Sequence, residues 1–134
     1  MADTYLSEDA KKLLDDLALA LRSVKTQDDG NGNLEYEHKS AKPFVEPILK
    51  TIGLPDWNFT VWMWNTSFKW QELPGPVNII PICNITESAR SEPGGALKFG
   101  LMRRIDGKVT VEPRLTAIFA VPPIARYVDA RARG

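Results

Sequence analysis

The spacing of the apolar residues changes at Pro55, and that change limits what the chain can fold into more than any other feature. Upstream, Ala10, Leu14, Leu17, Leu21 and Val24 step by four and three, and Leu13 and Ala20 widen the stripe. Such spacing places one apolar face along a helix. Ser7 stands where an N-cap belongs, and Glu8 and Asp9 fall in the first turn, where the helix dipole favours negative charge. The stretch SAKPFVEPILKTIGLP predicts a second, short helix, in which Phe44, Ile48, Leu49 and Ile52 share a face. Gly53 is expected as its left-handed C-cap, and Pro55 stops continuation. Pro47 opposes regular turns upstream, so ordered turns are expected from about Glu46.

Downstream of Pro55 the period is that of strands. WNFTVWMWNTSFKW alternates Phe59, Val61 and Met63 against Thr60, Trp62 and Trp64. VNIIPICNI is a second apolar run, with Pro81 marking an edge strand or a bulge. ALKFGLMRRIDGKVTVEPRL reads as a hairpin turning at Asp106-Gly107, and TAIFAV adds a last strand. Together these predict a single α+β domain over residues 1–134. Its expected form is two N-terminal helices packed on a four- to five-stranded, mostly antiparallel sheet. Residues 1–6 and 125–134 are expected as flexible termini, and TESARSEPGG as a mobile, function-bearing loop.

Composition narrows the function classes. The chain has 134 residues, 43% hydrophobic and 25% charged, which suits one folded domain. Seventeen basic residues balance seventeen acidic ones, which argues against nucleic acid as a partner. The balance is uneven: 7 Lys/Arg against 11 Asp/Glu in residues 1–56, and 10 against 6 in residues 57–134, hence −4 and +4. Opposite halves suit head-to-tail contact between copies. The single cysteine, Cys83, cannot make an internal disulfide or a cysteine zinc site. MADTYLSEDAKK lacks the apolar core of a signal peptide, and no run reaches membrane-spanning length. A reducing, cytoplasmic setting without a membrane is therefore expected.

QDDGNGNLEYEH, residues 27–38, resembles the loop of an EF-hand, with Gly32 at the sharp turn and Asp29, Asn31, Asn33 and Glu35 at ligand positions. The resemblance stops at both ends. Gln27 stands where the first carboxylate belongs, and His38 where a two-oxygen Glu belongs, so a polar turn is expected and no metal. His38, beside Glu35 and Glu37, and Cys83, inside an apolar run, complete a thin catalytic inventory. No phosphate loop, nucleophile elbow or dinucleotide fingerprint occurs. No catalytic residue, cofactor or enzymatic activity is assigned.

Trp57, Trp62, Trp64 and Trp70 lie within fourteen residues. The expected function is therefore a non-enzymatic interaction or assembly protein, which self-associates or binds a protein partner through an aromatic strand surface and its oppositely charged halves. Trp62, Trp64, Trp70, Arg126 and Tyr127 are the expected contact residues, because Trp, Tyr and Arg dominate binding energy at interfaces. Taken singly, Trp62 and Trp64 are expected in the core and Trp70 at the contact. The alternative is a small-ligand-binding domain, possibly an enzyme, with a Trp-lined pocket between the helices and the Trp62/Trp64 face.

Overall fold

A computed structural model describes residues 1–70 and 75–123. In chain order the elements are β1 (Ala2–Tyr5), α1 (Glu8–Leu21), β2 (Thr26–Asp28), β3 (Leu34–Tyr36), α2 (His38–Thr51), β4 (Asn58–Trp64), β5 (Phe68–Trp70), β6 (Val77–Cys83), β7 (Arg90–Glu92), β8 (Gly95–Ala96), β9 (Leu101–Ile105), β10 (Val109–Glu112) and β11 (Leu115–Val121). They form two antiparallel sheets. The larger has seven strands in the order β1-β9-β6-β11-β4-β3-β2, the smaller four in the order β5-β10-β7-β8.

This corrects the expectation of two helices on one four- to five-stranded sheet. Its cause is visible in β6 and β11, where six of seven and all seven residues are buried. Such strands have no polar face to give to water, so both sides of the sheet must be covered. One side carries the helices: Leu14, Leu17, Val45 and Ile48 pack with Val61, Ile80 and Ile118. On the other, Trp64, Ile79, Leu115 and Phe119 pack with Val109 and Val111 of the small sheet. Neighbours Ile79 and Ile80, or Ile118 and Phe119, thus belong to different cores.

The helices keep most of their expected features. Ser7 Oγ accepts from the Ala10 amide at 3.2 Å, and Ala10, Leu14, Leu17 and Leu21 are buried. Gly53, at φ +84, ends α2, and the Leu54 amide reaches back to the Leu49 carbonyl at 2.7 Å. However, α2 begins at His38, not near Glu46, and contains both Pro43 and Pro47. The prolines are four apart on the exposed face, where water can solvate the carbonyls they leave unpaired. Ala41, Val45, Ile48 and Leu49 bury the opposite face.

Three strand expectations also change. Asp106-Gly107 makes a turn but no hairpin: β9 pairs with β1 and β6, whereas β10 pairs with β5 and β7. Pro81 is not on an edge, since β6 lies between β9 and β11. It sits beside a register shift, and β9 reaches only Val77–Ile79, so its missing N–H falls beyond that ladder. The expected TESARSEPGG loop instead contains β7, paired to β10, and the first residue of β8.

Residues 1–6, expected to be flexible, contain β1, held against β9 by a side-chain clamp. Arg103 is 3% exposed. Its Nε and Nη2 donate to the Asp3 carboxylate at 2.8 and 3.0 Å, and Nη1 donates to Ser91 Oγ at 3.1 Å and the Gly95 carbonyl at 2.7 Å. Gly94, at φ +119, leaves room for it: a Cβ there would lie 2.7 Å from Arg103 Cδ. The expected flexible segment 125–134 lies outside the described residues.

Asp3→Asn should cost about 3 kcal/mol, the low end for breaking a buried ion pair, because Asp3 itself is partly exposed. The hydrogen bond from Arg103 holds the Asp3 carboxyl below its ordinary value. This contribution is therefore full above about pH 4, the unfolded value, and is lost as pH falls through the lowered folded one. Denaturant melts of wild type and Asp3→Asn should differ at neutral pH and converge in acid; equal stability at neutral pH would refute the clamp.

Candidate functional site

The seven-stranded sheet is wider than either of its covers. At about 4.8 Å per strand it spans roughly 29 Å between outer strand axes, against roughly 14 Å for four strands. Two packed helices cover about 20 Å. Each face therefore ends in a step, and residue burial locates the one facing the small sheet. Across that face, paired residues run Gln27, Glu35, Trp62, Ala117 and Pro81. Gln27 is exposed, Glu35 and Trp62 half-buried, and Ala117 and Pro81 buried. The small sheet thus covers β6 and β11, reaches β4, and leaves β3 and β2 uncovered among the described residues.

Aromatic rings line this step. A short turn folds β4 into β5, so the two strands enter different sheets with their rings facing. Trp62 stacks on Trp64 at 6.3 Å and on Phe68 at 6.1 Å. Trp64 meets Phe119 edge-on at 5.7 Å, and Trp70 meets Phe119 at 4.6 Å. The expected contact residues Trp62, Trp64 and Trp70 are thus brought together, but they are not equivalent. Trp64 is 0% exposed, a core residue whose Nε1 has no hydrogen-bond partner among the described residues. Trp62 and Trp70 are half-buried, and Trp62 Nε1 donates to Thr60 Oγ1 at 3.1 Å. Arg126 and Tyr127 lie outside the described residues.

The helices lie on the Phe59/Val61/Met63 face, so no pocket lies between them and Trp62/Trp64. This overturns the placement of the Trp-lined pocket. The reason is the second sheet, which occupies the tryptophan face.

The polar stretch from Gln27 forms the β2–β3 hairpin rather than the link in a helix–loop–helix. Asp28 Oδ1 accepts from the Gly30 and Gly32 amides, and Asp29 Oδ1 from the Asn31 and Asn33 amides. The Asn31 amide foremost, with the Asn33 side chain and amide, holds the Asp29 carboxyl below its ordinary value. Both carboxylates are spent on closing the turn. Asn33, 1% exposed, then locks this hairpin to the β4–β5 turn: its Oδ1 accepts from the Asn65 and Thr66 amides, each at 3.0 Å. The sequence reading treated Asn33 only as a metal position and missed this role. A loop Asn directly before a short strand was its one signal.

His38 opens α2 and stacks on Phe59 at 4.4 Å. Cys83 is half-buried, and desolvation pushes its thiol up, away from the thiolate that a nucleophile needs. Among the described residues, no cluster of three or more His, Cys, Asp or Glu is placed to hold a metal ion, and no helix is long and apolar enough to cross a membrane. No family model, curated protein or solved structure matches the chain.

Trp64→Ala should lower folding stability by about 3–5 kcal/mol, as expected for a large core aromatic. Asn33→Ala should cost about 1–3 kcal/mol by orphaning the amides of the neighbouring turn. Urea titrations read both; a Trp64→Ala protein with an unchanged midpoint would remove Trp64 from the core.

Proposed function

We propose that the protein is a non-enzymatic assembly component, which self-associates by receiving an extended strand of a second copy at the step beside β5. The observation that carries this reading is the mismatch in sheet width. β5 is an edge strand of the small sheet among the described residues. A fifth strand placed there would continue the small sheet over β3 and bury the exposed part of Trp62. Strand addition uses main-chain hydrogen bonds for affinity and side-chain contacts for selectivity.

The opposite charges of the two halves support head-to-tail association, in which the donor strand comes from a surface other than the step. All four residues of β1 are exposed, as are the three of β2, and both strands lie on sheet edges, so either can serve as donor. A separate protein offering an extended segment would use the same step. The single thiol fits a reducing, intracellular setting for such a component.

Light scattering at low salt should show association that rises with concentration. Trp62→Ala should weaken it about 30-fold, corresponding to a hot-spot loss of about 2 kcal/mol. The melt should fall far less than that of Trp64→Ala. A strict monomer over a wide concentration range at low salt would sink the proposal.

A further inference from the structure

The helix face of the large sheet ends in a step as well. The C-terminal half of α1 crosses above the strand ends, and a cleft of about 680 Å³ opens beneath it, lined by Leu21, Arg22, Leu34, Tyr36, Met63 and Cys83. Its position is independent of the tryptophan step, which lies on the opposite face.

Several local irregularities aim polar groups into this cleft. Along β6, Ile80 faces the helices and Pro81 faces the small sheet, so strict alternation would send Cys83 toward the small sheet. The register shift instead pairs Cys83 with Thr116, next to Met63 on the helix face. Asn84 follows in the left-handed region, at φ 55, and its Nδ2 donates to Thr116 Oγ1 at 3.2 Å. Thr116 is 0% exposed, so its hydroxyl anchors Asn84 from below. The Tyr36 phenol shares this surrounding. Burial raises it from its ordinary value, the nearby Cys83 adds to that, and the Thr116 hydroxyl acts against it. Tyr36 and Cys83 therefore stay protonated and neutral at neutral pH, and Cys83 Sγ accepts from Asn84 Nδ2 at 3.6 Å.

We propose that this cleft binds a small molecule with an aliphatic body and a single carboxylate. The body would lie against Leu21, Leu34 and Met63. The carboxylate would meet Arg22, with the Tyr36 phenol as a further donor. Arg22 is the cation on the cleft wall, and Asp15 the anion. Lys98 adds a second cation around the adjoining hollow that shares Asp15, Cys83 and Asn84. A volume of several hundred Å³ with an apolar wall and a few convergent polar groups is the usual form of a small-ligand site.

Cys83 is the sole thiol, so its alkylation rate by N-ethylmaleimide reports this cleft and the hollow adjoining it, with no signal from elsewhere. Decanoate is the probe, with 1-decanol as the chain without the charge. Saturable slowing by decanoate, weaker slowing by decanol, and an increase of about tenfold in the half-protecting decanoate concentration for Arg22→Gln are expected. That factor corresponds to one charge-assisted hydrogen bond. Lys50→Gln, on the exposed side of α2, should behave as wild type. Absence of slowing, or acceleration by decanoate, overturns the site. Equal protection by decanol together with an unaffected Arg22→Gln overturns the carboxylate assignment.

Discussion

The architecture depends on the double-sided burial of β6 and β11. Strands such as VNIIPI and LTAIFAV carry no polar face, so each must be covered above and below. Burying a large aliphatic or aromatic side chain contributes about 1.5–3 kcal/mol relative to exposure, so leaving either face in water would outweigh most of a domain's net stability. Two helices supply one cover. The second must be made from what remains of the chain, and strands of two to four residues make it. They are too short to stand alone and persist because the central sheet receives their apolar faces.

Covers of unequal width follow from that arrangement. The small sheet stops at β4 and the helices stop short of the β6–β11 strand ends, so the large sheet has one step on each face. The two steps differ in chemistry because alternation along β4 divides its side chains. Trp62 and Trp64 go one way, Val61 and Met63 the other. One step is aromatic and bordered by β5, an edge strand among the described residues; the other is aliphatic with hydroxyl, amide and thiol groups. The first is the site proposed for a polypeptide, the second that proposed for a small molecule.

Polar residues in this protein act mainly as fasteners. Asn33 ties two turns, Arg103 ties β1, β7 and β8 to β9, and Thr116 holds Asn84. Each is buried and hydrogen-bonded, so each fixes geometry where apolar packing alone tolerates sliding. Arg103 and Gly94 are a matched pair, since the glycine leaves the volume that the guanidinium fills.

Local sequence determined the elements whose causes are local. Capping by Ser7, the stripe of α1, the end of α2 at Gly53, the alternation of β4 and the polar turn after Asp28 all rest on contacts within a few residues. The bulge near Pro81 was also legible, because proline lacks the N–H that a regular ladder requires. Tertiary structure decided everything that depends on distant partners. It let α2 run through two prolines, because its other face is buried while water solvates the proline side. It sent β9 and β10 into different sheets despite an Asp-Gly turn, because Leu101–Ile105 pairs with β1 and β6. It gave TESARSEPGG a strand, β7, by supplying β10 and Arg103. It also separated Trp64 from Trp62, since which tryptophan is sealed depends on where the second sheet stops. Period-two alternation states which residues share a face; it cannot state what covers that face, or how far the cover extends.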